Sequence, residues 1–201
     1  MLEKLIKKGI EKEFFKLSEL GQLKSSCCPN SRLFVIDYDK AKEKIIYEEK
    51  DKELQEPKSA DALKILPELN RVDFIELKGF KLFFKYDKGK NFDEKIKSFN
   101  LERKIIDSLF VLKCIIQNNT LHFTNEEKQE YHNAEKNYFI VVDIERPKKP
   151  IEDRLISLIF LSLKKTVNNI PTSSLDKLNK SKLFTCTEID NYYQQLLNEK
   201  K

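Results

Sequence analysis

The sequence predicts an α/β fold of the mixed α+β kind, a central mixed β-sheet flanked by helices with extra helices at the C-terminal end. Three observations carry this expectation. Apolar residues recur at threes and fours near the N-terminus; four short strand-like runs follow between residues 32 and 78; and helical spacing returns from Asn91 before an isolated β-branched and aromatic run, "NYFIVVDIE".

Taken in order, Leu2, Leu5, Ile6, Ile10, Phe14, Leu17 and Leu20 place one amphipathic helix over Leu2 to Leu20, stopping near Gly21. After the turn signal "SSCCPNS", the runs "RLFVIDYD" and "KIIYEE" read as two strands joined by a short polar link. "ADALKIL" and "VDFIELK" read as two more, separated by "PELNR", whose Pro and Asn suit a tight connection. The four runs together predict a meander. Phe92, Ile96, Phe99, Ile105, Leu109, Leu112 and Ile116 then mark a long helix, or two joined near Asn100, with Asn91 and Glu94 able to form a capping box. "NNTLHFTNEE" reads as a loop, and "NYFIVVDIE" as a central strand. "PIEDRLISLIFLSLKK" has proline where a first helical turn tolerates it, and "TEIDNYYQQLLNEK" opens on threonine where a cap is favoured.

The 201 residues are read as a single domain, with a core over about 1–146 and a helical extension over about 150–201. Charged residues make up 35% of the chain, so solvated faces must be common, and a net charge of +5 fits an anionic partner without the basic excess of a nucleic-acid coat. The N-terminal "MLEKLIKKGIEKEFF" lacks the apolar core of a signal peptide, and "LISLIFLSL" is far shorter than the roughly 20 residues that span a bilayer. A cytoplasmic protein is expected, and its abundance of Lys, Ile, Asn and Phe points to an AT-rich, bacterial genome. Cys27, Cys28, Cys114 and Cys186 show no CxxC spacing; they are expected as reduced thiols, packed as small hydrophobes and holding no metal. No GxxxxGK[ST] or GxGxxG occurs, which argues against a nucleotide-hydrolysing motor or a Rossmann cofactor site.

Both signs of charge stand at the end of one apolar strand. Alternation puts Val72, Phe74, Glu76 and Lys78 on one face, and an antiparallel neighbour beginning at Asp61 would bring that carboxylate beside Glu76 and Lys78. Two close carboxylates repel unless one is protonated or a hard cation lies between them. Mg²⁺ takes such ligands while keeping waters and phosphate oxygens, so Asp61 and Glu76 become candidate metal ligands and Lys78 the group that orients or deprotonates the attacking water. Gly79, directly after it, allows a sharp turn or close approach to a phosphate. The bland alternative is a charged strand edge that discourages aggregation.

"ADALKIL…VDFIELKG", with Asp61, Glu76, Leu77 and Lys78, resembles the PD-(D/E)XK, or restriction-endonuclease-like, nuclease superfamily over roughly the first three quarters of the chain. The resemblance implies a core running helix, three strands, helix, strand, and a Mg²⁺-dependent deoxyribonuclease in which Mn²⁺ can substitute. It also implies an acidic ligand from the first helix, for which Glu11 and Glu13 are both candidates. Ala60 stands where the family more often has another residue, and no proline directly precedes Asp61. DNA is the implied partner, with a homodimer or partner subunit a further option for the C-terminal helices. Lys81, Lys85, Lys88 and Lys90 before the following helix, and Lys95, Lys97, Arg103, Lys104 and Lys113 on it, are then candidates for phosphate contacts, the alternative being a solvated face. Phe83, Phe84 and Tyr86 either stack on bases or extend the strand past Gly79. His122 and His132 match no metal spacing. A non-catalytic binding module of the same fold is the competing expectation.

Overall fold

In the computed structural model, residues 2–48, 57–79, 92–144, 154–170 and 178–199 are described. Their elements run α1 (Leu2–Glu11), β1 (Leu17–Glu19), β2 (Phe34–Asp37), α2 (Tyr38–Glu48), β3 (Ala62–Leu66), β4 (Arg71–Lys78), α3 (Phe92–Ser98), α4 (Leu101–Gln117), α5 (Asn125–Asn133), β5 (Glu135–Val142), α6 (Arg154–Asn168), β6 (Leu178–Thr185) and α7 (Cys186–Asn198). The strands form one six-stranded sheet in chain order. β1 to β4 are antiparallel neighbours, whereas β4, β5 and β6 are parallel. Parallel neighbours need long crossovers, supplied by α3–α5 before β5 and by α6 before β6. The expected α/β class is therefore found, with the mixed sheet at its centre.

Both faces of the sheet are covered. Val72 and Phe74 of β4 and Tyr138, Ile140 and Val142 of β5 share one apolar cluster with α1, α2, α4 and α6. Ile75, Leu77, Phe139, Val141 and Phe184 face the other way, against Ile189 and Tyr193 of α7 and against Leu20, Leu23 and Cys28. Every residue of β4 is consequently buried, its charged ones included. A strand covered on both sides can carry a charge only where a partner meets it inside.

Four local expectations are corrected. The first helix ends at Glu11 rather than Leu20, and the chain reverses through Glu13, which has φ 59°. Phe14 and Phe15 keep the helical spacing of apolar residues but enter the core from the reversal. The Phe15 amide donates to the Gly9 carbonyl at 2.9 Å, and a Cβ on Gly9 would lie 2.2 Å from the Phe15 ring, so the crossing needs glycine there. "KIIYEE" lies in α2 and forms no strand: Asp37 accepts the Lys40 amide at 3.3 Å near the helix start, and Ala41 and Ile45, one turn apart, face the core. The loop read at "NNTLHFTNEE" leads into α5, whose Thr124 and Glu127 form a reciprocal capping box. Beyond Pro150 the chain contributes β6 as well as helices, and α7 is capped by Thr185 rather than Thr187. The helical run from residue 92 divides at Asn100, which has φ 51°. Asn91, Phe83, Phe84 and Tyr86 lie outside the described residues. No helix among the described residues is long and apolar enough to cross a membrane.

The cysteines also depart from expectation. Cys28 and Cys186 form a disulfide across a separation of 158 residues, in which Cys27 and Cys114 take no part. β6 ends directly before Cys186, and its pairing with β5 carries that residue to the loop holding Cys28, a placement invisible while β6 went unread.

Under α7, Arg71 and Asp73 make a bidentate pair at 2.7 Å for each bond. Asp73 also accepts from Asn137 and the Tyr193 hydroxyl at 2.8 Å each, and Arg71 donates to the Tyr192 hydroxyl at 2.7 Å. Removing one partner leaves the other charge buried and uncompensated. Asp73→Ala is expected to cost about 3–5 kcal/mol of stability, read from urea unfolding at fixed redox state. A loss smaller than about 1 kcal/mol, the size of an exposed pair, would show that the network does not hold α7 to the sheet.

Candidate active site

The register of β3 on β4 builds the site. Ala62 is opposite Ile75 and Leu63 opposite Phe74, so Asp61, just before β3, stands across from Glu76. The Leu77 amide donates to Asp61 Oδ2 at 2.6 Å, tying the carboxylate to the partner strand. Helix α4 fixes the approach to it: Ser108 Oγ accepts the Ala60 amide at 2.8 Å, and Asp107 accepts the Lys58 amide at 2.9 Å. Tyr38 at the start of α2 donates its hydroxyl to the Ser108 carbonyl at 2.7 Å, and its backbone amide donates to the Asp61 carbonyl.

Glu76 is fully buried. Its Oε1 accepts from Lys78 Nζ, two residues on along the same face, and from Lys104 Nζ of α4 at 2.6 Å. Among the described residues its other oxygen, Oε2, has no hydrogen-bond partner, nor has the buried Tyr138 hydroxyl, which belongs to the same face of the sheet. An ionised buried oxygen without a donor is costly, and it is the kind of atom a hard cation satisfies. The donor set is all oxygen, which suits Mg²⁺ or Mn²⁺ better than a soft metal.

Asp61, Glu76 and Lys78 are thus brought together as the sequence predicts. Glu11 and Glu13 are not brought to them: among the described residues no three carboxylates lie within 4.8 Å of one another. Glu11 is exposed at the end of α1, and the Glu13 side chain is 89% exposed, 3.7 Å from Lys44. The left-handed turn at Glu13 directs it away from the sheet.

Lys104 has a different position from the one expected of a phosphate-facing lysine. It points inward to Glu76, and although burial works against its charge, Glu76 and Asp61 outweigh that and raise its pKa. Arg103 is exposed and paired with Asp107 at 2.8 Å. Lys95 is buried, while Lys97 and Lys113 are exposed. Lys81, Lys85, Lys88 and Lys90 lie outside the described residues. His122 occupies a left-handed turn at φ 48°, and His132 lies on α5. The membership of Lys104 and Tyr138 was not read from the sequence; the one available signal was that Tyr138 sits in a strand whose alternate residues must share a face with Glu76.

Burial, and next the charge of Glu76, push the Asp61 carboxyl up to about 7. The folded state therefore holds this proton more tightly than the unfolded chain, whose aspartate titrates near pH ~3.9. Between those two values the folded form binds more protons, so stability falls as pH rises through the window, with no further loss from this group above it. Asp61→Asn is expected to flatten that slope by roughly 1.4 kcal/mol per pH unit, measured as urea midpoints in chelator between about pH 4 and pH 8. An unchanged slope would remove Asp61 as its source. No protein-family model, no curated protein and no solved structure matches the chain.

Proposed function

We propose that the chain is a metal-dependent nuclease that hydrolyses phosphodiester bonds of DNA, using Mg²⁺ with Mn²⁺ as a substitute, in the manner of the PD-(D/E)XK superfamily. The observation that carries the reading is the buried pairing of Asp61 with Glu76 across β3 and β4, with Lys78 on the same face and one oxygen of Glu76 unpartnered among the described residues. The order α1, β2, β3, β4, α4, β5 is compatible with the core that the resemblance implies, with β1, α2, α3 and α5 as additional elements.

In this reading Asp61 and Glu76 would hold the ion, whose chemistry there would be Lewis acidity toward a phosphate oxygen and an attacking water. Lys78 orients the water that attacks phosphorus, and the P–O bond to the leaving nucleotide breaks as the new P–O bond forms. Lys104 balances the second negative charge inside the site. Tyr138 and Phe99 limit solvent there: the Tyr138 side chain is fully buried, and Lys78 Nζ lies 5.3 Å from the Phe99 ring centre.

A second reading has its own support. Both Lys78 and Lys104 already donate to the same oxygen of Glu76, so the carboxylate is neutralised by the chain itself, as in a fold that binds nucleic acid or a partner subunit without cutting. The two readings separate in one assay. Supercoiled plasmid and labelled single-stranded DNA are incubated with wild type, Asp61→Ala, Glu76→Ala and Lys78→Ala, in Mg²⁺, Mn²⁺ or chelator. The nuclease reading expects metal-dependent cutting and a loss of about 10²–10⁴ in the Lys78 variant, with folding retained by circular dichroism. Cutting that survives in all three variants rejects the assigned site; DNA binding without cutting in any metal selects the binding module.

A further inference from the structure

Away from the two carboxylates, three sulfurs converge. Cys27, Cys28 and Cys186 place their Sγ atoms within 4.8 Å of one another, drawn from the loop before β2 and the start of α7. Two of them form the disulfide, and the third, Cys27 Sγ, lies 3.8 Å from Cys28 Sγ. Tetrahedral Zn²⁺ with Zn–S bonds of about 2.3 Å sets its sulfurs about 3.8 Å apart, so the Cys27–Cys28 spacing already matches one edge of such a site.

The surroundings favour a cation. An acidic side chain lies nearby: a Cβ on Gly79 would stand 3.6 Å from Cys27 Cβ and 4.0 Å from Asp143 Oδ2, so a carboxylate shares the neighbourhood of the sulfurs. Cys186 occupies the first turn of the 13-residue helix α7, where the exposed amides and the helix dipole favour a thiolate.

We propose that Cys27, Cys28 and Cys186 form a redox-gated site for a thiophilic divalent metal of the Zn²⁺ class, closed by the disulfide when oxidised and opened by a dithiol reductant. In the first step the dithiol gives two electrons and two protons to the Cys28–Cys186 bond, becoming a disulfide itself and leaving three thiols. In the second, the ion would replace three protons and be held by the three thiolates of Cys27, Cys28 and Cys186. The site is independent of the phosphodiesterase reading, since it uses soft ligands on the opposite face of the sheet. Its occupancy would nonetheless be felt there, because Cys27 touches the strand end carrying Lys78 and Gly79.

The test uses the full chain, reduced with a phosphine and freed of it anaerobically, then titrated with Co²⁺ alone. The expected result is one Co²⁺ per chain with thiolate-to-metal charge transfer and tetrahedral ligand-field bands, absent from the oxidised protein. Cys27→Ser, which keeps the disulfide, should weaken binding at least tenfold after reduction, and Cys114→Ser should not change it. The Asp61→Ala, Glu76→Ala double variant should keep the thiolate bands, which separates this site from the carboxylate one. Absence of those bands in reduced wild type, unchanged affinity in Cys27→Ser, or loss of the bands in the double variant would each overturn the proposal.

Discussion

The covering of β4 on both faces is the constraint from which the rest follows. Its eight residues include Arg71, Asp73, Glu76 and Lys78, and none of them reaches bulk water freely. Each charge must therefore find its counterpart within the protein, and the antiparallel register with β3 and the parallel register with β5 decide which counterparts are in reach. A slip of one residue would exchange the two faces, sending Glu76 toward the aromatic side under α7 and Asp73 toward α4.

The two faces resolve their buried charge differently. Toward α7, Asp73 has donors from Arg71, Asn137 and Tyr193 at short, regular distances, so both of its carboxylate oxygens are satisfied, and the one atom of that knot without a partner among the described residues is the neutral amide oxygen of Asn137. Toward α4, two carboxylates meet two ammonium groups, yet among the described residues Glu76 Oε2 and the Tyr138 hydroxyl have no partner, and Asp61 retains its proton well above the usual carboxylate range. Charged groups left incompletely paired inside a fold are where sequence rules give way to chemistry. The unpartnered atom is a carboxylate oxygen on one face and a neutral amide oxygen on the other, and that difference sets the Asp61 cluster apart from ordinary ion pairing.

Much of the sheet could be read from the chain because its signals are local. "VDFIELK" and "NYFIVVDIE" are strands by period and composition, and the alternation within the first correctly put Glu76 and Lys78 on one face. The reading failed where local pattern and tertiary demand diverge. Phe14 and Phe15 continue a helical spacing that the chain abandons because Gly9 admits the Phe15 ring, and "LNKSKLFT", polar along its exposed half, becomes a strand only because β5 offers it an edge. At the site, Asp61, Glu76 and Lys78 were legible from spacing, whereas Lys104 was not, since a lysine among many on a helix reveals its inward direction only through packing. The glutamates of α1 misled for the converse reason: helical spacing was taken past the point at which the helix ends.

The bond between Cys28 and Cys186 encloses nearly the entire sheet within one covalent ring. Strands β2 to β6 and the helices between them all lie on the segment it closes. A single peptide-bond cut by a protease anywhere along that segment would open the ring without releasing a fragment, so an oxidised molecule nicked in a connecting loop remains one covalent species. Only on reduction would the same nick become a separation into two chains, each carrying part of the sheet.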